Sequence, residues 1–156
     1  GEGVCYQTWA EQGGFAAACR RATRWAPTMI FLGEVRDAET AVEALRASVN
    51  GRLVICTTHA DSIPSAIERL HTLASSVCGA DDAAHLLSGG VAAVLHQRME
   101  DHEDRKQVFV KSLWVKNASD EAGIRSTILS RRLAQLTTHV DQQRNQMLAH
   151  TGTKSF

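Results

Sequence analysis

Two short apolar runs constrain this chain most. Met29-Ile30-Phe31-Leu32 follows Pro27 and stops at Gly33-Glu34; Leu53-Val54-Ile55-Cys56 is introduced by Asn50-Gly51 and ends at Thr57-Thr58-His59. Runs this short, bounded by turn signals, read as strands buried on both faces. Between them Asp37 can cap a helix reaching about Ser48, with Ala41, Ala44, Leu45 and Ser48 on one face. Asn50-Gly51 then ends that helix. A strand, a helix and a strand in this order make a β-α-β unit, whose strands run parallel with a right-handed crossover. The fold class is therefore α/β.

The remaining segments fall around that unit. Phe15 to Arg24 is rich in Ala and Arg and reads as a helix ending before Pro27. Asp61 or Ser62 caps another helix, with Pro64 in its first turn and Ile63, Ile67, Leu70 and Leu73 at helical spacing. Asp81 to Leu87 forms a short helix stopped by Gly89-Gly90. Val91–Met99 and Gln107–Lys116 are strand-like, with Glu100-Asp101-His102-Glu103-Asp104 as a polar hairpin tip. Asp120 to Leu148 is helical, as one helix or two.

Composition narrows the classes. The 156 residues balance Lys+Arg 17 against Asp+Glu 17, so the formal net charge is zero. A 44% hydrophobic, 22% charged chain of this length can bury a core. Zero net charge argues against a chain-wide nucleic-acid or acidic-membrane surface. Arg131, Arg132 and Arg144 make a local basic trace without interleaved aromatics, so direct nucleic-acid binding is not expected. Of the four cysteines, Cys19, Cys56 and Cys78 sit among alanines or aliphatics and read as small buried hydrophobes, which fits a reducing, cytoplasmic compartment; Cys5 is the fourth. No cysteine pair has zinc-ribbon spacing, and no apolar run approaches the ~20 residues of a membrane span.

Parallel strands leave a sheet at one edge, and α/β folds bind ligands outside those carboxyl ends. Glu34 follows the first run and His59 the second, so the topology sets a carboxylate beside an imidazole. An acid after an apolar strand is the Walker B arrangement, which binds Mg²⁺ through water or orients an attacking water. A histidine at the next strand end is placed to hydrogen-bond a terminal phosphate. His71, His85 and His96 lie within helices or a strand and form no metal-ligand spacing.

These residues carry a family resemblance. Gly33-Glu34-Val35-Arg36-Asp37-Ala38-Glu39-Thr40-Ala41 resembles the Walker B box of the GspE/PilT-type secretion ATPase superfamily, the ring-shaped motors of type II and type IV secretion, conjugation and type IV pili. Gly51-Arg52-Leu53-Val54-Ile55-Cys56-Thr57-Thr58-His59-Ala60 resembles its His box. Phe15 through Pro27 is similar to the F-x-x-x-x-R-x-x-x-R-x-x-P helix, with Arg20 and Arg24 as its arginines. Gly123-Ile124-Arg125-Ser126-Thr127-Ile128 resembles, more loosely, the C-terminal helix of the retraction motors.

The resemblance implies a RecA-like P-loop NTPase core, partial because the P-loop strand and helix are not in it, followed by C-terminal helices. Residues 1–117 would be the partial core and 118–156 a C-terminal helical segment of the same domain. The cofactors implied are ATP and Mg²⁺. Glu34 would coordinate Mg²⁺ through water or activate water, and His59 would contact the γ-phosphate region. Arg20 and Arg24 would supply positive charge around phosphates, in their own site or a neighbour's. Arg36 and Asp37 would hold the box geometry, with Arg36 also able to reach across an interface. The partners implied are identical subunits in a ring, a hexamer, and inner-membrane secretion or pilus machinery. The location implied is cytoplasmic, peripheral to the inner membrane.

Departures from the pattern matter as much. Arg52 stands where many relatives have a His. The four-cysteine zinc element of the assembly-type motors is missing, since only Cys78 lies in that stretch. The wording Thr57-Thr58-His59-Ala60 points to conjugation or type IVB secretion motors related to the retraction ATPases. The sequence holds no G-x-x-x-x-G-K-[ST]; Gly152-Thr153-Lys154-Ser155 echoes it without its spacing or its preceding strand. The chain also opens without Met, so a segment of a longer motor is expected, inactive alone. The alternative is a non-catalytic module that docks on secretion-machine partners.

Overall fold

The computed structural model describes residues 3–7, 14–102 and 105–150, with backbone alone at 102 and 150. The echo at 152–155 lies outside the described residues. The order is α1 (Gly14–Arg24), β1 (Met29–Leu32), α2 (Ala38–Val49), β2 (Leu53–Cys56), α3 (Ile63–Cys78), α4 (Ala80–Gly90), β3 (Ala93–His102), β4 (Arg105–Trp114), α5 (Glu121–Leu129), a 3-10 turn (Leu133–Gln135) and α6 (Leu136–His150). No helix among the described residues is long and apolar enough to cross a membrane.

The β-α-β unit forms as its sequence dictates. β1 and β2 pair in parallel, Met29 with Leu53 through Leu32 with Cys56. Asp37 caps α2 by accepting from the Thr40 amide. Asn50 closes the helix, and Gly51 takes the left-handed conformation (φ 83°) that a side chain would resist. Ser62, rather than Asp61, caps α3 through a reciprocal box with Ser65.

Burial of the strands differs from expectation. Ile30 and Leu32 are buried, and Val54 and Cys56 partly so, but Met29, Phe31, Leu53 and Ile55 on the opposite face are exposed. Among the described residues the helices pack against one face only. A second pair, β3 and β4, runs antiparallel, Ala93 opposite Trp114 through His102 opposite Arg105. These strands reach further than the polar tip suggested. Asp101 sits opposite Lys106, an opposite-charge pair that suits a ladder better than a loop.

The glycine pair is also a correction. Gly89-Gly90 does not stop α4, which runs through Gly90. A Cβ on Gly90 would overlap the Ser48 hydroxyl and crowd Val49. The glycines let α4 approach α2 closely, a packing role that outweighs their low helix propensity. The cysteines divide too: Cys19 is buried, Cys56 and Cys78 are half-buried, and all four thiols are free.

One hydrophobic cluster joins the parts. Ile30, Leu32, Val35, Val42, Ile67 and Leu87 pack in the same cluster as Leu113, Ile124, Ile128, Leu136 and Val140. Each such side chain stabilises the fold by roughly 1.5–3 kcal/mol when fully buried. The expected helical tail is thus two α-helices joined through the 3-10 turn, both tied to the core.

Candidate functional site

Because β1 and β2 are in register, their carboxyl ends emerge together. The loops after them are then stitched. The Val35 amide donates to the Thr57 carbonyl at 2.9 Å, and the Thr57 hydroxyl donates to the Gly33 carbonyl. Val35 is fully buried, which anchors the backbone between Glu34 and Arg36.

This stitching brings Glu34 and His59 together, as the topology required. His59 Nε2 lies 3.4 Å from Glu34 Oε1. Arg36 takes the other oxygen: its Nε donates to Oε2 at 2.7 Å and its second guanidinium nitrogen lies 2.5 Å away. The Glu34 side chain is 20% exposed, against 72% for Arg36 and 87% for His59. A mostly covered acid is therefore flanked by a solvent-reaching guanidinium and a solvent-reaching imidazole.

The electrostatics follow from that geometry. The Arg36 hydrogen bond is the main cause that holds the Glu34 carboxyl below its ordinary range. Partial burial opposes it, and the charges of Arg36, His59 and Arg69 add to it. The same hydrogen bond raises the Arg36 guanidinium. Asp37 stays out of this group, with both its oxygens on Thr40 at 2.8 Å.

The arginines of α1 go elsewhere in this conformation. Arg20 lies 3.4 Å from Glu43 of α2, and Arg46 shares that carboxylate at 3.5 Å. Arg24 is exposed in the last turn of α1, with no hydrogen bond or ion pair recorded to a described residue. Neither is brought to Glu34. The weaker histidines are placed structurally: His71 Nε2 is 3.0 Å from the Ala80 carbonyl, and His96 Nε2 is 3.1 Å from the Ala60 carbonyl. Among the described residues no group of three or more His, Cys, Asp or Glu could hold a metal by itself. An open cleft of about 550 Å³, not lined by Glu34, lies between the start of α3 (the cap Ser62, Pro64, Ser65 and Glu68) and Arg131–Gln135. Arg131 there is 3.6 Å from Asp81.

Two residues escaped the sequence reading. Arg69 on α3 is near enough to act on Glu34, and no motif marks it. Thr58 Oγ1 is buried with no hydrogen-bond partner among the described residues. A buried hydroxyl without a partner is costly. Thr58 immediately precedes His59, so this orphan polar atom belongs to the same strand end. A carboxylate, an imidazole and an unsatisfied hydroxyl at one sheet edge suit the terminal phosphate and water-bound metal of a nucleotide. The amides that would cradle the other phosphates are not among these residues.

Known proteins bear on this arrangement. The family model "Type II/IV secretion system protein" matches residues 9–155. The type IV pilus assembly ATPase TfpB of Acinetobacter baylyi is 43% identical over 60 residues, which are 38% of this chain and 10% of that protein. The structure of the pilus retraction motor PilT with bound ADP aligns with TM-score 0.68 and 26% identity, over 88% of this chain and 40% of PilT. The Legionella pneumophila ATPase DotB shares the fold, with TM-score 0.65 and 22% identity over 81% of this chain and 35% of DotB. The chain spans 10% to 31% of the first curated relatives it matches. The RecA-like α/β fold and the family match agree: this chain belongs to the type II/IV secretion system proteins, within the GspE/PilT-type secretion ATPase superfamily.

Proposed function

We propose that this chain is the C-terminal portion of the motor domain of a ring-forming ATPase, a hexamer, that powers type IV secretion, conjugation or pilus movement. Residues 1–117 are the partial core and 118–156 its helical extension. The motor works at the cytoplasmic side of the inner membrane, docked on secretion or pilus components. The observation that carries the reading is the 3.4 Å approach of Glu34 and His59 at the carboxyl edge of the parallel strands.

Each residue then has a task. Glu34 is the acid that holds Mg²⁺ through water or orients the attacking water. Bound Mg²⁺ with ATP would supply charge neutralisation to the phosphoryl group in flight. His59, almost fully exposed, is free to rotate toward a γ-phosphate and report its presence. The Thr58 hydroxyl gains a partner when a water or phosphate oxygen enters. Arg20 and Arg24 lie on the exposed side of α1, where a guanidinium can serve phosphates of its own or an adjacent subunit's site.

The 156 residues contain no Walker A sequence, so phosphate release by the purified chain should stay at the no-protein background. Glu34-dependent turnover by this chain alone would overturn that part. In an ATPase that carries this segment and a P-loop, Glu34→Gln should keep nucleotide bound while turnover falls about 10²-fold or more. Turnover equal to the parent's would remove Glu34 from catalysis. An inactive parent whose channel docking persists would favour the non-catalytic module.

A further inference from the structure

The acid at the centre of this site is already occupied. Arg36 engages Oε2 with two nitrogens, at 2.5 and 2.7 Å, and His59 faces Oε1. The backbone beneath is fixed by the Val35–Thr57 bond, the Thr57–Gly33 bond and the buried Val35 side chain. Adjustment is therefore left to side chains. Arg36 is 72% exposed, and Glu34 is the one partner recorded for its guanidinium among the described residues. Asp37, the next carboxylate along the chain, is committed to Thr40.

A guanidinium in this position has two effects. It neutralises the charge that would draw a divalent cation, and two like-signed cations cannot share so short an approach without strong repulsion. Its donors also occupy lone pairs that would otherwise accept the protons of a metal-bound or attacking water. We propose that Arg36 is a lock on Glu34: a positioning residue that holds the acid in a resting setting and must swing away before Glu34 can serve a Mg²⁺–nucleotide. This rests on the reading of Glu34 as the acid of the ATPase site. The lock lowers the apparent affinity for Mg²⁺ by the fraction of molecules in the engaged state, and nucleotide entry shifts that population.

Two readouts test it. In the 156-residue chain, nuclear magnetic resonance should show the Arg36 Nε–H as a downfield, slowly exchanging signal that collapses to the solvent-exposed position in Glu34→Gln. An Arg36 Nε–H already at the exposed position in the unsubstituted chain overturns the lock, whatever Glu34 does in catalysis. In an ATPase that carries this segment with its P-loop, at saturating ATP, Arg36→Met should lower the half-saturating Mg²⁺ concentration about three- to tenfold. Arg36→Lys, which keeps the charge and loses the fork, should lie between. If Arg36→Met does not fold, the Arg36→Gln variant gives the same comparison. An unchanged or raised half-saturation overturns the lock while Glu34→Gln remains inactive. A fully active Glu34→Gln instead strikes the reading of Glu34 itself, so the two failures are distinguishable.

Discussion

Gln143 and Trp114 are joined by one side chain through two hydrogen bonds. The Trp114 amide donates to Gln143 Oε1 at 2.9 Å, and Gln143 Nε2 donates to the Trp114 carbonyl at 2.8 Å. The glutamine acts as a one-residue strand at the end of β4 and fastens α6 there. Gln143 is 7% exposed, so little water can replace it. Gln143→Ala should destabilise the chain by about 1–3 kcal/mol, the cost of unpaired buried groups, measured by urea unfolding. Gln143→Glu should cost more, because it buries a charged oxygen against the Trp114 carbonyl and the Asp120 carboxylate, which the amide nitrogen now serves.

The cap of α2 gives a second expectation. Thr40 is fully buried and relies on Asp37 for both its amide and its hydroxyl. Asp37→Ala should cost about 0.5–2 kcal/mol, toward the upper end because both Thr40 groups lose their partner. Asp37→Asn should lose less. Thermal unfolding of the three proteins side by side decides it.

The contact between α4 and α2 can be tested by adding one carbon. Gly90→Ala forces its Cβ into the Ser48 hydroxyl, which is itself held to the Leu45 carbonyl at 2.7 Å. Overpacking of this kind costs about 1–3 kcal/mol, less a part returned by the better helix propensity of Ala. Ser48→Gly in the same chain should recover stability. Strict additivity of the two substitutions in denaturant titrations would show that the residues do not meet.

Asp120 supplies a pH dependence. Burial pushes its carboxyl up, but hydrogen bonds from His139 at 2.7 Å and from Gln143 at 3.2 Å together outweigh it and leave the group lowered. A lowered folded value means the carboxylate stabilises fully above the unfolded carboxyl range. That contribution is lost as pH falls from about 4 through the folded value. Asp120→Asn should flatten the acid limb of stability against pH below about 4. An acid limb identical to that of the unsubstituted chain would assign acid sensitivity to other carboxylates.

Much of this was legible in the residues, for identifiable reasons. Two apolar runs and the helix between them set the strand ends at one edge, so Glu34 and His59 met as connection rules required. The Arg36 contact was not legible. Residues two apart do not face each other in a helix, and only the turn after Gly33 lets this guanidinium fold back. Thr58 needed a burial map, because a hydroxyl's lack of partners leaves no trace in sequence. The half-covered sheet was hidden for another reason: a run of four apolar residues looks the same whether one face or both are packed. Gly89-Gly90 read as a stop because its partner, Ser48, lies about forty residues earlier.

The uncovered side of β1 and β2 has a practical consequence. Met29, Phe31, Leu53 and Ile55 form an adhesive strip on one face. Clustering of the purified chain through that strip should weaken on cooling and persist in salt, as apolar contacts do. If the proposed ring assembles through arginines and carboxylates, those contacts should instead loosen as ionic strength rises. Light scattering across temperature and salt therefore separates stickiness from assembly, and Phe31→Ser should reduce only the first.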